Sequence, residues 1–166
     1  MLKTKRTHIR NFQPADASAL FDYRNDEYCS RYQRYDDTSI EYLSEFVKNF
    51  DSSTFLSTEE EQHYAVADIS SDNIIGDISI FFSEKDNCFT LGITVSPPYQ
   101  RQGYAYEVLD AVISGIFEKY PLVDIVALIE KENEKSIALF KKLGFILECY
   151  AESLKSLVFI KYGNMN

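Results

Sequence analysis

The spacing of apolar residues changes at about residue 62, and this change restricts the folds open to the chain. Before it, apolar side chains recur every three or four residues, which predicts one helix opening at Pro14–Asp16 and a second within residues 36–50. A short strand around Ile9 precedes both helices. From residue 62 the pattern alternates in three segments, HYAVADIS, IIGDISIFFS and CFTLGITVS, with polar turns between them. The middle of the chain is therefore predicted to be an antiparallel meander of three strands.

The remainder of the chain alternates between helix and strand. A long amphipathic helix is predicted up to about Tyr120, the apolar run VDIVALIE predicts a buried strand, and a shorter helix follows over Asn133–Lys142. The segments GFILECY and SLVFIKY close the chain as a hairpin. A strand, a helix and a further strand make a crossover, so the strands ending at Val95 and Glu130 are predicted to be parallel.

These elements describe an α/β chain of the α+β type, in which helices cover a mixed central sheet of six to seven strands. The predicted order of the elements is β-α-α-β-β-β-α-β-α-β-β. A chain of 166 residues has the length of one ordinary domain, so residues 1–166 are predicted to form a single domain.

Composition and charge exclude several classes of protein. The net charge of −9 argues against nucleic acid as a partner, because affinity for nucleic acid comes mainly from Lys and Arg. No segment approaches the roughly 18 consecutive apolar residues of a membrane span, and the basic start runs into polar residues rather than an apolar signal segment. Neither a membrane partner nor export is expected. Three dispersed cysteines and two distant histidines lack disulfide or metal-ligand spacing, which predicts a cytoplasmic protein without a metal.

The stretch SPPYQRQGYA lies between the third strand of the meander and the long helix. Pro97 and Pro98 end the strand because proline cannot donate to a ladder, and the helix that follows has free N–H groups at its start. Gly103 removes a side chain where the backbone would approach a ligand, and Arg101 adds a positive charge. These features predict an anion site with phosphate as its occupant, the alternative being a tight turn without a ligand. The residues match neither a Walker A loop nor a dinucleotide-binding glycine motif.

Two segments resemble motifs of the GCN5-related N-acetyltransferase (GNAT) superfamily. Residues 100–105, QRQGYA, meet its acyl-CoA pyrophosphate motif, Gln/Arg-x-x-Gly-x-Gly/Ala, directly after a strand and at the start of a helix. Residues 133–145, NEKSIALFKKLGF, meet its second motif, Asn-x-x-Ser/Ala-x-x-Leu-(Tyr)-x-Lys-x-Gly-Phe. With the element order, the resemblance covers nearly the whole chain. Within the superfamily the chain looks most like the ribosomal-protein-alanine N-acetyltransferase branch.

The resemblance implies an acetyl-CoA-dependent N-acetyltransferase domain whose co-substrate enters between the two parallel strands, which splay apart. The turn amides would hold the pyrophosphate, and the strand edge and Asn133 would hold the pantetheine arm. Splayed strands release backbone groups that the amides of such an arm can satisfy. The residues that the resemblance implies for acyl-CoA binding are Ile93, Thr94, Val95, Gln100, Arg101, Gln102, Gly103, Tyr104, Ala105, Asn133, Ser136, Phe140 and Lys142.

The implied chemistry is direct attack of an amine on the thioester carbonyl in a ternary complex, with an N–H near Val95 stabilising the oxyanion. The chain departs from the family pattern twice. Phe140 stands where many members have a tyrosine that protonates the leaving thiolate, and Thr90 stands where many have a glutamate base. Ser136 can supply a hydroxyl near the sulfur or can simply pack as a small residue. The candidate catalytic residues are Val95, Ser136, Glu148 and Glu152.

The acceptor is predicted to bind near the first helices, where FDYRNDEYCSRYQRYDD is rich in tyrosine. Tyr32 and Tyr35 are candidate substrate-binding residues, because tyrosine offers an apolar face and a hydroxyl. Without an obvious strong base, an α-amine with a pKa of about 8 suits the enzyme better than a lysine-type amine with a pKa of about 10. The favoured acceptor is therefore a protein or peptide N-terminus.

Three alternatives stay open from the sequence. The acceptor can be a small-molecule amine such as a polyamine or an antibiotic. The chain can instead bind acyl-CoA without turnover, or the glycine turn can belong to a plain interaction module. Both a monomer and a homodimer are compatible with the sequence.

Overall fold

A computed structural model describes residues 1–164 of the chain. Its strands form one mixed sheet: β1 (Thr7–Arg10), β2 (Gln62–Asp68), β3 (Ile74–Ser83), β4 (Cys88–Val95), β5 (Asp124–Ile129), β6 (Ile146–Ala151) and β7 (Ser156–Lys161). Its helices are α1 (Asp16–Arg24), α2 (Glu27–Ser30), α3 (Ile40–Asn49), α4 (Tyr104–Lys119) and α5 (Glu134–Lys142). Short 3-10 turns lie at Pro97–Tyr99 and Glu152–Leu154. No helix in this range is long and apolar enough to cross a lipid bilayer.

The strands are ordered β1-β2-β3-β4-β5-β7-β6 across the sheet. β4 and β5 are parallel, and the other neighbouring pairs are antiparallel. The predicted fold class, element order and parallel pair are thereby confirmed. Two details were not predicted. The one-turn helix α2 forms because Asp26 accepts hydrogen bonds from the Tyr28 and Cys29 N–H groups, and the final hairpin enters the sheet with β7 next to β5.

The helices pack on both faces of the sheet. α1 and α3 enclose an apolar cluster that includes Leu20, Leu43 and Val47, whereas α4 and α5 cover a larger cluster. Successive residues of β2, Ala65 and Val66, belong to the smaller and the larger cluster respectively. Because neighbouring residues of a strand point to opposite faces, the two clusters lie on opposite sides of the sheet. The sheet is thus the middle of three layers, with β4 and β5 near its centre.

Side-chain caps explain where two helices near the centre of the sheet begin. Ser39 accepts a hydrogen bond from the Tyr42 N–H and caps α3. Asn133 accepts a hydrogen bond from the Ser136 N–H and caps α5 in the same way. α5 ends before Gly144, which has a left-handed φ of 87° and stops the helix where the sequence predicts.

Candidate active site

β4 and β5 pair over only part of their length. Their three register pairs end at Thr90↔Val126, although β4 continues to Val95 and β5 to Ile129. On their outer edges β4 stays paired with β3 up to Val95, and β5 stays paired with β7 up to Ile129. Residues 91–95 and 127–129 therefore border an opening between the strands, the β4–β5 wedge, with unpaired backbone groups on both sides.

The backbone of β4 presents its hydrogen-bonding groups to the wedge at alternate residues. The Ser96 N–H donates to the Ile75 carbonyl at 2.8 Å. Because successive residues of an antiparallel strand face opposite edges, Ile93 and Val95 direct their N–H and carbonyl groups into the wedge. Thr94 directs its backbone groups toward β3 instead. Both backbone groups of Ile93 and the N–H of Val95 can thus meet an extended ligand as an added strand would.

The Val95 carbonyl is held by two side chains. It accepts hydrogen bonds from Gln100 Nε2 at 2.8 Å and from the Cys29 thiol at 3.3 Å. Burial, with a smaller contribution from Asp26, raises the pKa of the Cys29 thiol to about 11, so the sulfur keeps its proton at neutral pH. The Gln100 side chain, predicted to bind the cofactor, therefore folds back on β4. Sequence reasoning missed Cys29, which no local pattern connects to β4.

The turn between β4 and α4 leaves backbone N–H groups free. After Gln100, the next N–H that has an acceptor among residues 1–164 is that of Glu107, which donates to the Gly103 carbonyl. Arg101 and Gly103 have left-handed φ values of 59° and 82°, and such residues orient N–H groups as in anion-binding nests. The free amides and the positive end of the 16-residue helix α4 together favour a phosphate group.

Three other predicted cofactor-binding residues lie around this turn. Gln102 Nε2 donates to the Pro98 carbonyl at 2.7 Å and braces the turn from within. Tyr104, the first residue of α4, is half-buried. The Lys142 ammonium lies 4.7 Å from the centroid of the Tyr106 ring, so α5 brings a positive charge beside the first turn of α4.

α5 borders the wedge from the side of β5. Asn133 Oδ1 accepts the Ser136 N–H at 3.2 Å, which leaves the Asn133 amide nitrogen as its group for a ligand. Ser136 is half-buried. Phe140 is buried and meets the Phe145 ring edge-on, with centroids 5.0 Å apart. Its ring therefore contributes to the core under α5, and its contact with a cofactor stays a prediction.

The loop after α2 contacts three elements at the carboxyl ends of β4 and β5. The Tyr32 hydroxyl donates to the Glu132 carbonyl at 3.2 Å, and the Tyr35 hydroxyl lies 3.2 Å from Thr94 Oγ1. Arg34 Nη2 donates at 2.7 Å to a carbonyl of the β6–β7 turn. A cavity of about 530 Å³ lies between this loop, the β5–α5 link and the β6–β7 turn. The structure thus places both predicted acceptor-site tyrosines beside the wedge.

A buried ion pair supports this loop. Arg24 Nη2 lies 3.0 Å from Asp77 Oδ2, and both side chains are more than nine-tenths buried. The Tyr23 hydroxyl donates to Asp77 Oδ1 at 2.6 Å, and the Arg24 guanidinium lies 4.6 Å from the Tyr35 ring centroid. Burial and the Asp77 charge raise the pKa of Tyr35. The Asp77 carboxylate is therefore bound by Arg24 and Tyr23, and sequence reasoning did not predict this ion pair.

The two predicted acids have different positions. Glu148 is exposed on β6 and accepts a hydrogen bond from the Tyr162 hydroxyl at 2.7 Å. β6 is three strands away from β4, which corresponds to about 14 Å at the usual strand spacing. The structure does not bring Glu148 to the wedge. Glu152 is exposed in the β6–β7 turn, which borders the cavity.

An acyl-CoA matches the groups that the wedge presents. Free turn amides can bind a pyrophosphate, and alternate β4 residues can pair with the amides of a pantetheine arm. The left-handed φ of Gly103 favours glycine at this position of the turn, and a Cβ there would make only an ordinary contact of 3.6 Å with Arg6 Nη2. Within residues 1–164 no group of three or more His, Cys, Asp or Glu side chains could hold a metal ion.

Comparisons with known proteins agree with this chemistry. The sequence profile of the family described as "Acetyltransferase (GNAT) domain" matches residues 6–146. The chain is 28% identical over 143 residues to the uncharacterized N-acetyltransferase YnaD of Bacillus subtilis (strain 168), covering 86% of this chain and 81% of that protein. A shorter match, 36% identical over 56 residues, joins 34% of this chain to 30% of spermidine N(1)-acetyltransferase of Escherichia coli (strain K12).

The fold also matches solved structures. Ribosomal-protein-S5-alanine acetyltransferase from Vibrio fischeri superimposes with a TM-score of 0.76 at 17% sequence identity, covering 98% of this chain and 96% of that chain. At this identity the likeness concerns the fold, and it extends over nearly all of both chains.

Proposed function

Since this chain belongs to the GNAT family of N-acetyltransferases, we propose that it transfers the acetyl group of acetyl-CoA to the α-amine of a peptide or protein N-terminus. The observation that carries the choice of acceptor is the state of Asp77. This carboxylate lies on β3 opposite Thr94, but Arg24 and Tyr23 already bind both of its oxygens. A paired carboxylate of this kind is a poor base for an acceptor amine.

The weakness of the base favours an acceptor that loses its proton easily. A lysine-type amine costs about 4–5 kcal/mol to deprotonate at pH 7, whereas an α-amine with a pKa near 8 costs about 1 kcal/mol. Thr90, at the inner end of the wedge, offers no carboxylate either. Water can take the proton of an α-amine at this small cost, so no side chain with a strong basic function is required.

The proposed reaction is direct acyl transfer. The neutral amine attacks the thioester carbonyl carbon, the carbonyl oxygen becomes an oxyanion, and the carbon–sulfur bond breaks to release the thiolate of CoA. The Val95 N–H, which has no ladder partner on the wedge side within residues 1–164, is the proposed oxyanion donor. Ser136 is the proposed proton donor to the thiolate, because Phe140 in the neighbouring turn of α5 has no hydroxyl, and the serine oxygen takes a replacement proton from water. The acylated amine loses its proton to solvent.

The acceptor is proposed to approach through the cavity beside the loop after α2. Tyr32 and Tyr35 contribute a ring face and a hydroxyl each. Of the two candidate acids, Glu152 is the nearer to the cavity, because it lies in the bordering β6–β7 turn. A peptide carries its own backbone donors and acceptors, which suits an opening bordered by the β5–α5 link and the β6–β7 turn.

A polyamine is the second candidate acceptor. It is favoured by the short match to a spermidine N(1)-acetyltransferase and by the net charge of −9, which attracts a cation. A polyamine has amines with high pKa values, however, and requires a stronger base than the wedge presents.

An acceptor panel tests the proposal. Release of CoA thiol is measured with acetyl-CoA and three acceptors. The first is a peptide with a free N-terminus and no lysine, and the second is a variant of that peptide in which the N-terminus is blocked and one residue is replaced by lysine. The third is spermidine. We expect turnover with the first peptide and little with the other two. Turnover of spermidine alone would replace the proposed acceptor, and binding of acetyl-CoA without any turnover would leave a non-catalytic acyl-CoA-binding protein.

A further inference from the structure

Arg6, the residue before β1, reaches the turn that precedes α4. Its Nε lies 2.8 Å from Glu107 Oε2, its Nη1 donates to the Gln102 carbonyl at 3.0 Å, and its own backbone N–H donates to Glu107 Oε1 at 2.8 Å. The guanidinium also lies 4.0 Å from the centroid of the Tyr104 ring. Arg6 thus contacts the turn, the first residue of α4 and the first acidic side chain of that helix. Neither of the two sequence motifs includes it.

Glu107 places a carboxylate in the first turn of α4, beside the free amides. Burial acts to raise its pKa, but hydrogen bonds from Thr4 and Arg6 and the charge of Arg6 hold the pKa below its usual value. The carboxylate is therefore ionised at neutral pH. A negative charge at this position repels a bound phosphate unless a positive charge neutralises it. Arg6 is positioned to do so.

The third nitrogen of the guanidinium lies beside Gly103 in the turn. Nη2 has no hydrogen-bond partner among residues 1–164, whereas Nε and Nη1 each have one. It lies 3.6 Å from the place that a Cβ of Gly103 would occupy. The side chain is 36% exposed, so a ligand can reach it. Two of the three nitrogens hold the guanidinium in place, and the remaining one borders the turn at Gly103.

We propose that Arg6 is a phosphate-binding residue of the acyl-CoA site, which neutralises Glu107 through Nε and binds a pyrophosphate oxygen through Nη2. The proposal rests on the proposed function, in which acetyl-CoA occupies this turn. A guanidinium suits both tasks because its donors lie in a rigid plane and can serve two anions at once. The role of Glu107 is then to orient Arg6, and it makes no contact with the phosphates.

The test compares two variants in which residue 107 has no charge. The first is the single variant Glu107→Gln, which keeps a side-chain oxygen for Arg6. The second is a double variant that carries Arg6→Gln in addition to Glu107→Gln. The Kd of acetyl-CoA is measured by calorimetry for both variants and for the wild type. The double variant is expected to bind about tenfold more weakly than Glu107→Gln, because a charge-assisted hydrogen bond to phosphate is lost. Screening should make this difference smaller at high salt.

Equal affinity of the two variants would overturn the proposal, since Arg6 would then serve only to compensate Glu107. Thermal unfolding shows whether the double variant is folded. If it is not, Arg6→Lys in the same background decides, because it keeps a charge but loses the second nitrogen. An affinity for this variant equal to that of Glu107→Gln overturns the proposal, and a several-fold loss supports it.

Two further measurements of acetyl-CoA affinity are made, one on a control variant and one on the wild type. Lys5→Gln removes an exposed neighbouring charge that makes no contact with the turn, and its affinity for acetyl-CoA is expected to match that of the wild type. A wild type that does not bind acetyl-CoA would remove the proposed function together with this proposal. A wild type that binds, with equal affinities for the two variants of residue 107, would remove this proposal alone.

Discussion

Individual side chains fix the end of β4 before any ligand binds. Gln100 and Cys29 hold the Val95 carbonyl, while the Val95 N–H stays free on the wedge side. An oxyanion donor is most effective when it needs no reorganisation during the reaction. The proposed donor meets this condition, because the residue that carries it is bonded to α2 and to the turn.

The Cys29 thiol predicts how stability changes at alkaline pH. Its pKa is raised from 9.0 to about 11 in the folded chain. A raised pKa contributes stability that is fully present below pH 9 and is lost as the pH rises toward 11. Since one unit corresponds to about 1.4 kcal/mol, a shift of two units corresponds to a contribution of about 3 kcal/mol. Urea unfolding at pH 8 and pH 11 is the measurement.

Cys29→Ser is the matched variant for this prediction, because serine keeps a donor for the Val95 carbonyl and does not titrate in this range. Its free energy of unfolding is expected to fall less between pH 8 and pH 11 than that of the wild type. Buried tyrosines contribute equally to the alkaline loss in both proteins. Identical losses in the two proteins would contradict the assignment.

At the scale of elements, the wedge depends on close contact between β3 and β4. Gly76 pairs with Val95, and a Cβ at Gly76 would overlap the Thr94 carbonyl oxygen. No side chain fits there unless β4 moves. The absence of a side chain at Gly76 therefore sets the position of the β4 edge that faces the wedge.

Gly76→Ala is expected to destabilise the protein by about 2 kcal/mol or more, because backbone atoms must shift to relieve the contact. It should also weaken acetyl-CoA binding. Gly115→Ala is the control, since its Cβ would lie 3.7 Å from Leu56 Cδ1 and it sits within α4. That change is expected to stabilise by up to about 1 kcal/mol. Thermal unfolding and calorimetry measure both effects, and equal stability of the two variants would count against this role of Gly76.

The order of the elements could be predicted from the sequence because its signals are local. The alternating segments, the prolines after Val95 and Gly144 after α5 each act within a few residues. The parallel pair followed from the handedness of a crossover. The position of β7 between β5 and β6 could not be predicted, since a hairpin pattern does not say which of its strands faces the sheet.

Only part of the site could be predicted, because the sequence signals of the site are local as well. Residues 100–105 and 133–145 form contiguous motifs, whereas Arg6 and Glu107 are 101 positions apart, Cys29 and Val95 are 66 apart, and Arg24 and Asp77 are 53 apart. Such contacts depend on which elements become neighbours in the sheet and helix layers. Alternation and motif spacing carry no information about them.

At the scale of the whole molecule, the Arg24–Asp77 pair joins the layer of α1–α3 to the sheet. The pair is buried, and it also supports Tyr35 at the proposed acceptor site. Because the Arg24 guanidinium is buried away from water, its positive charge is stabilised by the Asp77 carboxylate instead of by solvent. One ionic contact thus links the fold of the helical layer to the shape of the acceptor site.

Arg24→Met is expected to destabilise the protein by about 3–5 kcal/mol, because it leaves the Asp77 charge buried with one partner fewer. Adding Asp77→Leu should recover part of this loss, since no unpaired charge then remains. Lys48→Met is the control: its pair with Glu45 is exposed, and we expect a change below about 0.5 kcal/mol. Denaturant unfolding measures all three variants. A double variant less stable than Arg24→Met would contradict this account of the pair.

Binding of acetyl-CoA to the β4–α4 turn underlies both the proposed reaction and the proposed role of Arg6, and calorimetry on the wild type and on Gly103→Glu measures it. The variant places bulk and a negative charge among the free turn amides. Thr58→Glu is the control, because it adds the same charge at an exposed position close to Leu56, whose carbonyl accepts a hydrogen bond from Lys119 at the opposite end of α4. We expect micromolar binding by the wild type and the control, and none by a folded Gly103→Glu. Equal binding by all three proteins, or none by the wild type, would contradict this expectation.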